Sequence, residues 1–343
     1  MRFVDNRGVF DARRNLALEE YVLREKPTPE DCLLLYVNAP AIIVGRNQNT
    51  VEEINPTVVA ERGITVVRRL SGGGAVYHDL GNLNFSFLTP ASPDRFNRYE
   101  AFLRPVLDVL RALGLDAELG GRNDITVGGR KVSGNAQFTT TRRMFSHGTL
   151  LVDADLDAVT AALNPRPGKV ESKGVKSIRS RVANIAELVA ERGGAPGGAA
   201  VTVDSLRDMI LARIFGTSDL ARVPQLEMTE DDYRAVERLA VEKYGAWAWT
   251  YGEDPPSDVR RTRRTRRFAV GELDVRLALG GGRITAARVY GDFQGPDDVR
   301  GFEERLRGVA YTRDAVARAL DGVDVSAYFG PVSREEVLDV VVG

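Results

Sequence analysis

Residues 68 to 82, RRLSGGGAVYHDLGN, place two arginines and a serine directly before three consecutive glycines, Gly72, Gly73 and Gly74. Glycine lacks a Cβ, so a backbone built from it can approach a ligand closely, take positive φ and turn successive N–H groups onto one anion. Arg68 and Arg69 add planar guanidinium donors that suit phosphate or carboxylate. The pattern predicts a nucleotide-phosphate loop. It is not a P-loop, because no GxxxxGK[ST] occurs in the chain. Taken alone, the triple glycine also reads as a tight strand connection, and Arg68 reads equally as a solvated salt-bridge partner.

A second signal is the scarcity of lysine, which occurs only at Lys26, Lys131, Lys169, Lys173, Lys176 and Lys243. Arginine supplies the remaining positive charge, so a compact ammonium at Lys131 invites a chemical explanation. His78 and His147 are the only histidines.

These residues need elements to hold them. Residues 11 to 25 read as a helix with Leu18, Tyr21 and Val22 on one face. CLLLYVN and AIIVGRN, joined near Pro40, read as paired strands. ITVVRRL is a strand that delivers the chain to the glycine loop, and NLNFSFLT continues as an alternating strand. A helix covers about 98 to 113, with the stripe Phe102, Val106, Val109, Leu110 and Leu113 and a stop at Gly114. DITVGGRKVSG is a hairpin whose turn is Gly128-Gly129, so Lys131 lies just after the turn. SHGTLLVD is a further strand, and GKVESKGVKSIRSRV reads as a mobile basic loop. A boundary near 252 to 267 precedes two hairpin strands and helical patterns around 296 to 307 and 312 to 320. The expected division is 1–250, a linker at 251–267 and a small α+β domain at 268–343. The Arg-rich run RRTRRTRR falls in that linker and reads as a solvated segment.

At 343 residues with a formal net charge of −1, the chain can bury a large core and lacks the basic excess of a nucleic-acid binder. The single cysteine, Cys32, excludes an internal disulfide and a cysteine-rich zinc site. No apolar run approaches the roughly 20 residues that span a bilayer, and the N-terminus carries no apolar signal core. A cytoplasmic protein with neither nucleic acid nor membrane as partner is expected.

Three segments, RRLSGGGAVYHDLGNLNFSF, GRNDITVGGRKVSGNAQ and SHGTLLVD, resemble the lipoate–protein ligase A family in order and content. The resemblance extends through NLALEEYVL, IIVGRNQN, ALNP, KGVKSIRSRV and AWAWTYGEDPP to the C-terminal domain. It implies an α+β chain with a biotin/lipoate protein ligase-like catalytic domain, mixed sheets flanked by helices, and a small α+β accessory domain. It also implies an enzyme that activates lipoate with Mg²⁺ and ATP to lipoyl-AMP. The lipoyl group then passes to a lysine on lipoyl domains of 2-oxoacid dehydrogenase E2 subunits or the glycine cleavage H protein.

The family's contacts map onto Arg69, Gly74, Ala75, Val76 and Tyr77, with Lys131 as the central catalytic lysine. The expected ATP and lipoyl-AMP site also takes in Ser71, Gly72, Gly73, His78, Asn82, Asn123, Asp124, Ser133 and His147. Carboxylate attack on an α-phosphate joins two anions, so charge neutralisation and positioning dominate, and Lys131 can bridge a carboxylate and a phosphate oxygen. Asn123 and Asp124 offer oxygens that suit Mg²⁺, although Asp124 also reads as a turn cap. The strands around Val44 and Val76 would hold the acyl tail. His78 and His147 also read as structural hydrogen-bonders lining the site, and Lys169, Lys173 and Lys176 as a loop closing over the adenylate. Two rivals follow. One is an octanoyl- or lipoyl-transferase working through a Cys32 thioester, although a buried cysteine is inert. The other is a non-catalytic carrier of lipoate or lipoyl-AMP. A biotin ligase is disfavoured because no GRGRxxR-type loop occurs.

Overall fold

The computed structural model describes residues 1–26, 28–92, 94–121, 123–163, 181–252 and 260–343. The segment of Lys169, Lys173 and Lys176 lies outside the described residues. The chain divides into two compact units. Met1–Ile43, Val51–Arg68 and Val76–Thr250 form the first; Val44–Thr50, Arg69–Ala75 and Tyr251–Gly343 form the second.

The first unit is built on a seven-stranded sheet in the order β1-β2-β6-β10-β9-β8-β7. Its strands are β1 (Arg2–Val4), β2 (Cys32–Val37), β6 (Asn82–Pro90), β7 (Ala117–Gly120), β8 (Asp124–Val127), β9 (Arg130–Thr139) and β10 (Arg143–Leu151). Only the β1–β2 pair is parallel. One face is apolar: Leu33, Leu35, Leu83, Phe85, Phe87 and Leu150 join the main core. Helices Tyr99–Ala112 and Val203–Phe215 cover it with Val106, Leu110, Leu206 and Ile210.

The opposite face carries α1 (Ala12–Arg24). Asp11 starts that helix by accepting from the backbone N–H groups of Arg13 and Arg14, two of the donors a helix start leaves unpaired. The expected face is present, with Leu18 and Val22 buried, but α1 also buries two adjacent carboxylates, Glu19 and Glu20. Each has partners: His147 for Glu19, and Arg24, Lys243 and Tyr244 for Glu20.

The two apolar runs expected to pair do not. β2 lies in the large sheet, whereas β3 (Ala41–Val44) belongs to a small sheet with β4 (Thr65–Arg68) and β5 (Val76–His78), in the order β4-β3-β5. Both runs are buried on both faces, so each fits a sheet interior, and nothing local assigns them to the same one.

In the second unit, β11 (Arg260–Phe268), β12 (Gly271–Gly280) and β13 (Arg283–Gly291) form an antiparallel sheet. Helices Val299–Leu306, Arg313–Ala319 and Arg334–Val342 complete its core, with Phe293, Phe302 and Phe329 fully buried. The segment expected as a solvated linker is therefore corrected from Arg260 onward: RRTRRTRR is an edge strand. Strand geometry sends its arginines alternately to two faces, and several find partners there. Arg263 pairs with buried Asp274, while Arg264 bonds Val341 O and Arg266 reaches Asp339. Among the described residues no helix is long and apolar enough to cross a membrane.

Candidate active site

The β8–β9 hairpin forms as expected. Gly128 and Gly129 take φ of +56° and +75°, the two successive positive values of a type I′ turn. Lys131 follows, and the returning segment at 181–183 pins its backbone: Lys131 N donates to Arg181 O at 2.7 Å and Lys131 O accepts from Ala183 N at 3.0 Å. The ammonium folds back along β9 over Gly134, where a Cβ would stand only 2.9 Å from Nζ. Glycine at 134 is thus what leaves the charge its place. Nζ pairs with Asp124 Oδ1 at 2.8 Å, and both side chains are about one-third exposed, at 39% and 33%. A partly solvated ammonium held by one carboxylate can exchange to a bound anion at small cost.

Asn123 is placed differently. Its Nδ2 donates to Asn135 O, while Asn135 Nδ2 returns bonds to Asn123 O and to buried Ser133 Oγ. Asn123 and Ser133 therefore brace the hairpin that carries Lys131 and Asp124. Among the described residues no group of three or more His, Cys, Asp or Glu side chains could hold a metal ion.

Residues two apart on a strand share a face, so Asn82, Asn84 and Ser86 of β6 line the α1 face of the sheet beside Thr149 and His147 of β10. His147 Nδ1 lies 2.9 Å from Glu19 Oε1. In the small sheet, His78 Nδ1 lies 2.9 Å from Asn38 Nδ2, in a buried pair. A carboxylate or amide partner on one ring nitrogen fixes which tautomer the other presents. Val76 and Tyr77 lie opposite Ile43 and Ile42.

The glycine loop, Arg69 to Ala75, belongs to the second unit. Arg69 is buried and ties the loop internally: Nε donates to Ser71 Oγ at 3.0 Å, and Nη2 donates to Gly72 O at 2.7 Å and Gly74 O at 2.9 Å. The segment Val44–Thr50 runs alongside, with Arg46 N on Ser71 O and Arg69 N on Val44 O. Three glycines make this close approach possible. A Cβ on Gly45 would fall 1.9 Å from Gly73 O, one on Gly72 would fall 2.3 Å from Phe293 O, and Gly73 sits at φ +92°. The loop is therefore a built structure rather than slack chain, as an anion cradle requires.

Arg68 is not a solvated side chain. Buried in the first unit, it donates to Trp249 O at 2.9 Å and Thr250 O at 2.7 Å, and its own carbonyl accepts from Trp249 Nε1 at 2.8 Å. Its work is to anchor the end of β4.

Cys32 is fully buried in β2, and burial pushes its thiol pKa up, against the thiolate a transferase needs. Cys32→Ser is expected to keep most of the activity, since the hydrogen bonds of its thiol among the described residues go to Glu30 O and Arg143. A dead but folded variant, checked by melting and acyl transfer to an acceptor domain, would restore the thioester route.

Sequence reading missed Glu19, Asn38, Asn84, Ser86, Gly134 and Thr149. A signal was available for the strand residues. In N-L-N-F-S-F, polar and apolar alternate, which normally marks a half-exposed strand, yet Asn82, Asn84 and Ser86 are at most 1% exposed.

Residues 11–215 match the lipoyl protein ligase A/B catalytic domain, and residues 260–341 match the bacterial lipoate protein ligase C-terminus. The chain is 46% identical over 341 residues to lipoate-protein ligase LplJ of Bacillus subtilis (strain 168), an alignment covering 99% of this chain and all of that one. Among solved structures, P. falciparum LipL1 in complex with lipoate superposes with a TM-score of 0.76, covering 99% of this chain and 97% of that one. At 22% identity this establishes a shared fold, the biotin/lipoate ligase-like arrangement. A lipoate-protein ligase A bound with ATP gives a TM-score of 0.59 at 28% identity, covering 73% of this chain and 98% of that one.

Proposed function

The chain belongs to the lipoate–protein ligase family, and on that premise we propose that it activates lipoate with ATP to lipoyl-AMP and pyrophosphate, then transfers the lipoyl group to a lysine of a lipoyl domain. The observation that carries the reading is Lys131: an ammonium placed over Gly134 on a polar sheet face and held by one exchangeable carboxylate. In the first step a carboxylate oxygen attacks the α-phosphorus and pyrophosphate leaves with the electron pair of the broken P–O bond. Lys131 neutralises the approaching anions, and by staying on the acyl carbonyl it stabilises the oxyanion when an amine attacks in the second step. Ser71 and Gly72 to Ala75, held by Arg69 through Gly72 O and Gly74 O, are assigned the phosphates, and Val76 and Tyr77 are assigned as further nucleotide contacts.

Mg²⁺ would accompany ATP on this reading and would neutralise phosphate charge, taking few ligands from the protein. Asp124 would contribute a carboxylate oxygen, and Asn123, whose Nδ2 is held by Asn135 O, would offer its Oδ1 beside it. The acceptors are lipoyl domains of the E2 or H-protein type, and a reaction fuelled by ATP would run in the cytoplasm.

Incubation with ATP, Mg²⁺, free lipoate and an apo lipoyl domain tests this. Pyrophosphate release together with an acylated acceptor lysine is expected. Acyl transfer from an acyl carrier protein without ATP would overturn the ligase reading in favour of a transferase, which the inert setting of Cys32 disfavours.

A further inference from the structure

Burying polar side chains in the middle of a sheet costs stability unless each finds a partner. Asn82, Asn84 and Ser86 are 0%, 1% and 0% exposed. The two amides are oriented by their bonds alone. Tyr36 O can only accept, so Asn84 must turn its Nδ2 to it, at 3.2 Å. Asn84 Oδ1 then faces Asn82, whose Nδ2 donates to it at 2.9 Å. This chain leaves Asn82 presenting Oδ1 at its far end, a buried acceptor that takes a hydrogen bond from no described residue. The same face carries the lysine. Asn84 lies opposite Thr149, Thr149 Oγ1 accepts from Gly134 N at 3.4 Å, and the Lys131 ammonium sits over Gly134.

An acceptor so placed calls for a donor, and the groups of the reaction differ in what they offer. A lipoate carboxylate, its hydrocarbon tail and the phosphates of ATP have no hydrogen to give, whereas the ribose hydroxyls and adenine amino group do, and a raised KM for ATP would report them. The Lys131 ammonium is engaged by Asp124. The attacking amine of the acceptor lysine does donate, and it must be oriented for its lone pair to meet the acyl carbon.

Building on the adenylating reading above, we propose that Asn82 Oδ1 accepts an N–H of that amine and so aims it at the lipoyl carbonyl in the transfer step. The amine lone pair forms the C–N bond, the C–O bond to phosphate breaks with its electron pair departing on AMP, and the surplus N–H proton passes to water. Asn82 takes no proton; it positions.

The test separates the two half-reactions. With ATP, Mg²⁺ and lipoate, hydroxylamine intercepts the bound adenylate as a hydroxamate and needs no docked position, whereas amide formation on an apo lipoyl domain needs the aimed amine. Asn82→Leu is expected to lower amide formation about 10- to 100-fold more than hydroxamate formation, the range of one hydrogen bond to an amine or ammonium. Asn82→Gln keeps both the amide donor and an oxygen acceptor and should recover part of the difference; melting of both variants shows that they are folded. Equal losses in both assays, or a raised KM for ATP with an unchanged ratio of the two rates, would overturn the proposal by assigning Asn82 to the nucleotide or to the fold. If the unmodified enzyme forms no hydroxamate, the adenylate reading falls and this step falls with it.

Discussion

Lys131→Ala is expected to slow lipoyl-AMP formation by about 100- to 1000-fold, the usual cost of removing one preorganised donor from developing negative charge. No described lysine stands ready to replace it, because Lys26 is held by Asp232 and Lys243 by Glu20. The fold should hardly notice. Lys131 and Asp124 are both about one-third exposed, and ion pairs in that setting contribute on the order of 0–1 kcal/mol. Lys131→Arg should not rescue activity, since a planar fork cannot occupy the point-like place that Gly134 leaves for an ammonium. Pyrophosphate release and a melting curve on the same sample decide the matter. Near-parental release would remove Lys131 from the chemistry.

Gly73→Val should weaken ATP binding by about tenfold or more, close to 1.4 kcal/mol. Gly73 sits at φ +92°, where an L-residue costs about 1–2 kcal/mol and a β-branched one costs more. The added Cβ would also stand 3.0 Å from Arg69 Nη2, the atom that holds Gly72 O and Gly74 O. The valine therefore strains the backbone and dislodges its brace together. Gly72→Ala should act in the same direction for a different reason, because its Cβ would lie 2.3 Å from a backbone oxygen, Phe293 O. Calorimetry with ATP reads both. An unchanged affinity for Gly73→Val would show that the loop does not hold phosphate.

Much of this was legible beforehand wherever a local rule had one solution. Gly128-Gly129 between two alternating strands could only close a tight hairpin, and that placed Lys131 at the start of β9. The apolar stripe from Phe102 to Leu113 likewise named a helix face, and all five of its residues are buried. Local rules failed where two partners were equally good. CLLLYV and AIIV are both apolar throughout, so proximity along the chain suggested a pair that the sheets do not make. RRTRRTRR looked like a linker because the strand it pairs with, and the carboxylates Asp274 and Asp339 that meet two of its arginines, come from later in the sequence.

The chain by itself therefore determined which residues could do chemistry. A triple glycine after two arginines, and a lysine after a glycine turn, carry their meaning in short-range geometry that sequence order alone imposes. Tertiary structure decided what each of them does. It made Arg69 the brace of the glycine loop and Arg68 an anchor, although the two are adjacent and of one type, because successive residues leave the backbone in different directions. It gave Lys131 its place through the missing side chain of Gly134, and it turned the amides of Asn82 and Asn84 through a carbonyl on another strand. Those outcomes depend on what lies across a sheet, and only the folded chain brings the strands together.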